Sequence, residues 1–143
     1  MLLITHHVLT SSPRPMAEQV RLRAERRMFL KRRWRAVAED GVEFGFDLTA
    51  RLHSGAVIHR TEGADYVISQ EEEPVFEIGY TDAPQAALIG WKIGNLHFAV
   101  ELGEGWLRVT QDLAVTQLCS REGWAITEKQ VVFNPLRVTP HAS

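Results

Sequence analysis

The side chains that could hold a metal or move a proton are few in this chain, and their placement narrows the chemistry. Histidines stand at 6, 7, 53, 59, 97 and 141, and Cys119 is the one cysteine. His97 stands out. It closes the run Gly94-Asn95-Leu96-His97, where a helical period gives way to a strand period. An imidazole at such a corner is a candidate metal ligand, because imidazole suits nickel, zinc and copper alike. Metal needs the neutral ring, so binding should weaken in acid, below about pH 6.5. His6 and His7 would alternate across a strand and point to opposite faces, which prevents joint chelation. His53 and His59 lie near turns and read as exposed polar residues. Asp112 could lend an oxygen, but its place before a helix makes it an N-cap first. Cys119 falls on an apolar helical stripe and reads as core.

The constellations of an enzyme are missing. The sequence has no G-x-S-x-G, no H-E-x-x-H, no P-loop and no Cys–His pair at useful spacing. A single cysteine excludes an internal disulfide framework and a Cys-rich zinc site. The net charge of -2 carries no global signature of nucleic-acid or anionic-membrane binding. Charge is uneven, however. Residues 14–35 hold nine basic side chains against Glu18 and Glu25, and 39–82 hold eleven acidic ones against Arg51 and Arg60. That is either a basic face for an acidic partner or the solvated side of strands. RNA binding through 21–35 is the weaker idea, because no aromatic RNP pattern accompanies it. No apolar run approaches the roughly 18 residues of a membrane span, and the first residues lack a signal-peptide pattern. The expectation is a cytoplasmic protein with no membrane and no nucleic-acid partner.

With 143 residues, 45% of them hydrophobic, the chain can bury a core in one domain or two small ones. The front reads as β-rich. A first strand is expected over 2–9, ended by Ser11-Ser12-Pro13. Glu39-Asp40-Gly41 is a hairpin signal, since Asp-Gly accepts positive φ. After it Val42, Phe44, Phe46 and Leu48 alternate with Glu43, Gly45 and Asp47, a face to be buried against another sheet. Turns at Ser54-Gly55 and 62–65 frame strands at 56–58 and 66–68. Glu71-Glu72-Glu73-Pro74 looks like a boundary, because like charges repel and proline blocks regular continuation. Beyond it the order is βαββαβ: a strand over 75–80, a helix over 82–93 capped by Asp82 and closed by Gly94 in the left-handed region, strands at 97–102 and 106–110, a helix over 112–122 stopped by Gly123, and a strand over 125–133. The fold class is therefore α+β. A small β-sandwich or barrel-like domain over 1–73 precedes a ferredoxin-like domain over 74–134, and 135–143 is a mobile tail.

A β-rich front followed by a ferredoxin-like half with G-N-x-H at its first helix-to-strand corner resembles the urease accessory protein E family, nickel metallochaperones. The run 33–44, with its basic strand, Glu-Asp-Gly hairpin and returning apolar strand, is similar to the family's front domain, as is 52–58. The stretch 87–97 matches its helix and key histidine. The resemblance implies a peptide-binding-like front half and a back half for metal and dimerisation. It implies a homodimer in which His97 faces its copy across a two-fold axis, so that two imidazoles hold one Ni(II). It implies partnership with the urease accessory GTPase and, through it, the urease apoprotein. The sequence departs from the pattern at Leu96, which replaces an arginine, in 108–113, which lacks histidine, and in a tail offering only His141. His141 is a further candidate ligand, because a mobile tail can close over an interface site. The same imidazole pair would accept zinc or copper.

The expected function is thus delivery of Ni(II) for urease assembly, through His97 with His141 as helper. The alternative is a metal-poor adaptor of the same fold, acting through protein contacts of its basic front domain.

Overall fold

A computed structural model describes residues 1–137. The chain divides into two compact units, Met1–Glu71 and Glu72–Ser143. Among the described residues no helix is long and apolar enough to cross a membrane.

The first unit is built from two three-stranded sheets. One has the order β1-β4-β3, from β1 (Leu2–Ile4), β3 (Arg33–Val37) and β4 (Glu43–Asp47). The other has the order β2-β6-β5, from β2 (Gln19–Ala24), β5 (Val57–Arg60) and β6 (Asp65–Gln70). β3 and β4 form the expected hairpin, with Gly41 at φ 92 in the turn, a left-handed geometry that glycine adopts without a Cβ clash. The alternation in β4 does what its period demands. Phe44, Phe46 and Leu48 are buried with Trp34, and they share one core with Leu22, Ile58, Tyr66 and Ile68 of the second sheet. Trp34 stacks on Phe46 at 4.1 Å. Two pairings are parallel: β1 on β4, and β2 on β6.

Several local expectations give way here. The first strand stops at Ile4 rather than Leu9. The chain bends after β1, and Thr49 bonds back to the Thr5 carbonyl, so β1 pairs only with Phe44, Gly45 and Phe46. His6 and His7 therefore lie in a bend and not across a strand. A 3₁₀ turn, Arg26–Leu30, precedes β3. His59 is half-buried in β5 against Phe44 and Tyr66, not exposed.

The basic stretch is largely solvated strand and loop surface. Arg23 pairs with Glu39, Arg27 with Glu25, and Arg32 and Arg33 with Asp47. These exposed pairs each contribute little. The strong electrostatic feature is Asp65, with 0% exposure. It accepts from Ser12 Oγ at 2.7 Å and Arg60 Nε at 2.8 Å, with Arg14 Nε at 3.4 Å. Desolvation pushes its carboxyl up, but these donors together hold it below the ordinary carboxylate range.

The second unit is a four-stranded antiparallel sheet of order β10-β7-β9-β8. The elements run β7 (Glu73–Gly79), α1 (Ala83–Asn95), β8 (Glu101–Leu102), β9 (Trp106–Thr110), α2 (Leu113–Glu122) and β10 (Ile126–Val131). Renumbered within the unit the order is 4-1-3-2, the split βαβ arrangement expected of a ferredoxin-like domain. One face of the sheet carries Phe76, Ile78, Leu107 and Val109. They bury Ile89 and Ile93 of α1 and Val115, Leu118 and Cys119 of α2. Burial pushes the Cys119 thiol up. The opposite face carries Glu77, which accepts from Arg108 and Lys129 and is held below its ordinary range despite desolvation.

Glu73 and Pro74, expected to break regular structure, lie inside β7. Pro74 pairs only with Gln130, because the pairing with β9 begins at Val75. A missing N–H is tolerated where a strand has one neighbour. The start of the terminal segment is also tied down: Asn134 N donates to Glu101 Oε1, and Leu136 N donates to the Val100 carbonyl at 2.8 Å.

Candidate metal centre

α1 aims the candidate ligand. Asp82 caps it, its side chain accepting from Gln85 N at 2.8 Å, and Pro84 sits in the first turn. Ile89 and Ile93 fix the helix to the sheet. At the far end the expectation of a Gly94 cap fails. Gly94 is helical, the helix runs through Asn95, and His97 itself adopts the left-handed conformation, φ 65. His97 N donates to the Gly94 carbonyl at 2.9 Å, and Leu96 N to Ile93 at 3.0 Å. The physical reason lies in Leu96, which packs against the core beside Phe98 and Val100. Seating Leu96 carries the helical turn past Gly94 and pushes the reversal onto His97.

The strand expected over 97–102 shrinks to Glu101–Leu102. Its alternation survives as burial, with Phe98 and Val100 half-buried and His97 and Ala99 exposed. His97 is the one non-glycine residue with positive φ among those described. Such a backbone is uncommon for histidine and tends to persist at functional sites. Its imidazole has no hydrogen bond or ion pair among the described residues. It also stands at a helix C-terminus, where the partial negative charge of unpaired carbonyls favours a cation.

Near it α1 leaves an apolar strip exposed. Leu88 is 41% and Trp91 64% exposed, three residues apart on one helical face. Among the described residues no group of three or more His, Cys, Asp or Glu is arranged to hold a metal. Among the described residues His97 is therefore not part of a three-ligand group. Asp112 is occupied as the cap of α2, accepting from Ala114 N, and Cys119 is core. His141 lies outside the described residues. One grouping escaped the sequence reading: His7 and His53 meet, with ring centroids 5.7 Å apart. No local pattern signals a pair separated by 46 positions.

Comparison with known proteins bears on the same half of the chain. The family model described as UreE urease accessory protein, C-terminal domain, matches residues 73–142. The urease accessory protein UreE of a Chelativorans species is 26% identical over 107 residues, covering 73% of this chain and 68% of that protein. UreE of Pseudomonas fluorescens strain SBW25 is 25% identical over 108 residues, covering 73% and 65%. UreE of strain Pf0-1 is 24% identical over 127 residues, covering 86% and 75%. By these matches residues 73–142 correspond to the C-terminal domain of the UreE urease accessory proteins, and the chain as a whole is similar to proteins of that name.

Proposed function

We propose that this protein carries Ni(II) and delivers it during urease assembly, with His97 as the principal ligand in a homodimer. The observation that carries the reading is His97 itself: exposed, without a side-chain partner among the described residues, and held in a left-handed turn at a helix C-terminus. One imidazole is a poor site, but a two-fold axis at His97 would supply a second without further residues. The exposed Leu88–Trp91 strip supports association on the same helix. The cargo would keep most of its coordination shell open, which suits release to a recipient.

His141 fits as a helper. Leu136 is bonded to Val100, three residues beyond His97. The five residues from there to His141 span up to about 17 Å when extended, more than the roughly 11 Å that three residues can span. The names of the relatives support a place in urease assembly. The urease accessory GTPase is the proposed partner, and the cytoplasm the proposed setting.

The absence of a three-ligand cluster among the described residues favours a second reading, an adaptor of the same fold with little metal. A calorimetric Ni(II) titration near pH 7.5, on the native chain and on His97→Ala, separates the two when the solution mass is measured alongside. A component of about half an ion per chain that is present in the native chain and lost in the variant is expected of a shared two-fold site. Titrations that do not differ between the two proteins would leave the adaptor.

A further inference from the structure

We propose that His7 and His53 form a second divalent transition-metal site, within one copy of the chain and in the first unit. This goes beyond the His97 reading and does not depend on it. The two rings stand 5.7 Å apart between centroids, at an interplanar angle of 69°. Two imidazoles bound to one tetrahedral ion, with each nitrogen about 2.0–2.1 Å from the metal, bring their centroids to about 5 Å.

The backbone holds the two segments together. Val8 N donates to the Val57 carbonyl at 2.7 Å, and Val57 N donates to the Leu9 carbonyl at 2.9 Å. His7 lies three residues past the end of β1, and His53 leads through the Ser54-Gly55 turn into β5. The two loops that carry the pair are therefore tied together by backbone bonds at the edge of β5.

His53 also has the protonation pattern a ligand needs. Its Nε2 lies 3.3 Å from the Thr10 carbonyl. A carbonyl only accepts, so Nε2 is the donor in this contact, and in the neutral ring Nδ1 is the nitrogen left to bind a metal. A ring nitrogen donating to a backbone carbonyl is the usual support of a metal-bound histidine. His6 is engaged differently, its Nδ1 lying 3.0 Å from Thr5 Oγ1, and it is not needed. No third His, Cys, Asp or Glu joins the pair among the described residues, so water completes the shell. Two nitrogens and water suit Ni(II), Cu(II) or Zn(II) and do not suit Ca(II) or Mg(II). The ion held there is labile.

The test uses the full chain carrying His97→Ala and His141→Ala, titrated with Zn(II) and followed by proton–nitrogen correlation of the imidazoles. His7 and His53 are expected to shift on one common curve, with Nδ1 as the His53 nitrogen that binds, while His59 stays still. His7→Gln or His53→Gln should each weaken the response of the remaining partner on the order of tenfold or more. Unchanged Leu9 and Val57 amide signals check that the sheet is intact. Independent curves for the two rings, or shifts no larger than that of His59, would reduce the pair to ring packing and overturn the proposal. Because His97 is absent from this protein, neither result bears on the His97-dependent component of the native titration, so the two proposals can fail separately.

Discussion

Replacing His97 by glycine and by alanine separates the ring from the backbone that carries it. Both variants lose the imidazole, but only alanine keeps the Cβ that disfavours φ 65. A non-glycine residue in the left-handed region costs about 1–2 kcal/mol. The greater freedom of glycine in the unfolded chain offsets about 0.5–1 kcal/mol of that. His97→Gly should therefore be more stable than His97→Ala by about 0.5–1 kcal/mol. With a urea slope of about 1.5 kcal/mol/M, the midpoint moves up by about 0.5 M. The two units can unfold at separate midpoints, so the titration is best followed through amide signals of α1 and the second-unit sheet. A chelator in the buffer keeps metal binding out of the comparison. Equal midpoints, or alanine above glycine, would mean that His97 is not left-handed in solution. The argument that strain at this residue marks a functional site would then fall.

Three further outcomes follow from the geometry. Asp65→Asn removes the charge that Arg60 and Arg14 face; it should destabilise the first unit by about 2 kcal/mol at pH 7, discounted because both arginines reach water. The depressed carboxyl contributes stability above the unfolded value of about 3.9 and loses it as pH falls through the lower folded value, so acid melts should show a flatter limb in the variant. Asp82→Ala should cost about 1 kcal/mol and speed hydrogen exchange at Gln85 first. In Gly103→Ala a Cβ would meet Trp106 Cε2 at 2.1 Å, so the indole must leave its place under Arg108, 4.0 Å away. The expected loss is about 1–3 kcal/mol, with a shift of tryptophan emission.

The parts of the fold legible in the sequence are those where period and turn chemistry agree. β4 alternates and ends a Glu-Asp-Gly hairpin, α2 runs from Asp112 to Gly123 at φ 72, and the βαββαβ order follows from such segments. The corner at His97 was legible as a place but not as a geometry. Glycine is the default reversal residue, and nothing in Gly94-Asn95-Leu96-His97 shows that the core has a seat for Leu96. The length of β1 depends on what β4 offers it, which is a tertiary fact. The meeting of His7 with His53 was invisible for the same reason, since long-range backbone bonds between Val8, Leu9 and Val57, and not the local sequence, bring their loops together. His59 was misjudged because a histidine beside a turn can still face a core of Phe44 and Tyr66.

The parallel pairings of the first unit also govern the order in which the protein can be made. β1 must wait for Phe44–Phe46, and β2 for Asp65–Gln70. Hairpins such as β3–β4 close at once, but these pairings must first bear the entropy of closing long loops. As the chain is synthesised, Leu2 and Leu3 therefore stay unpaired until Phe46 is free, and Val20 and Leu22 until Gln70 is, since each strand's partner comes late. In the second unit β7 likewise lacks β10, its neighbour on one side, until Val131. The segments made first in each unit are the ones kept longest as open strand edges. Slow synthesis, or a chaperone that shields residues 2–24, should raise the yield of folded protein more than any change at the His97 corner.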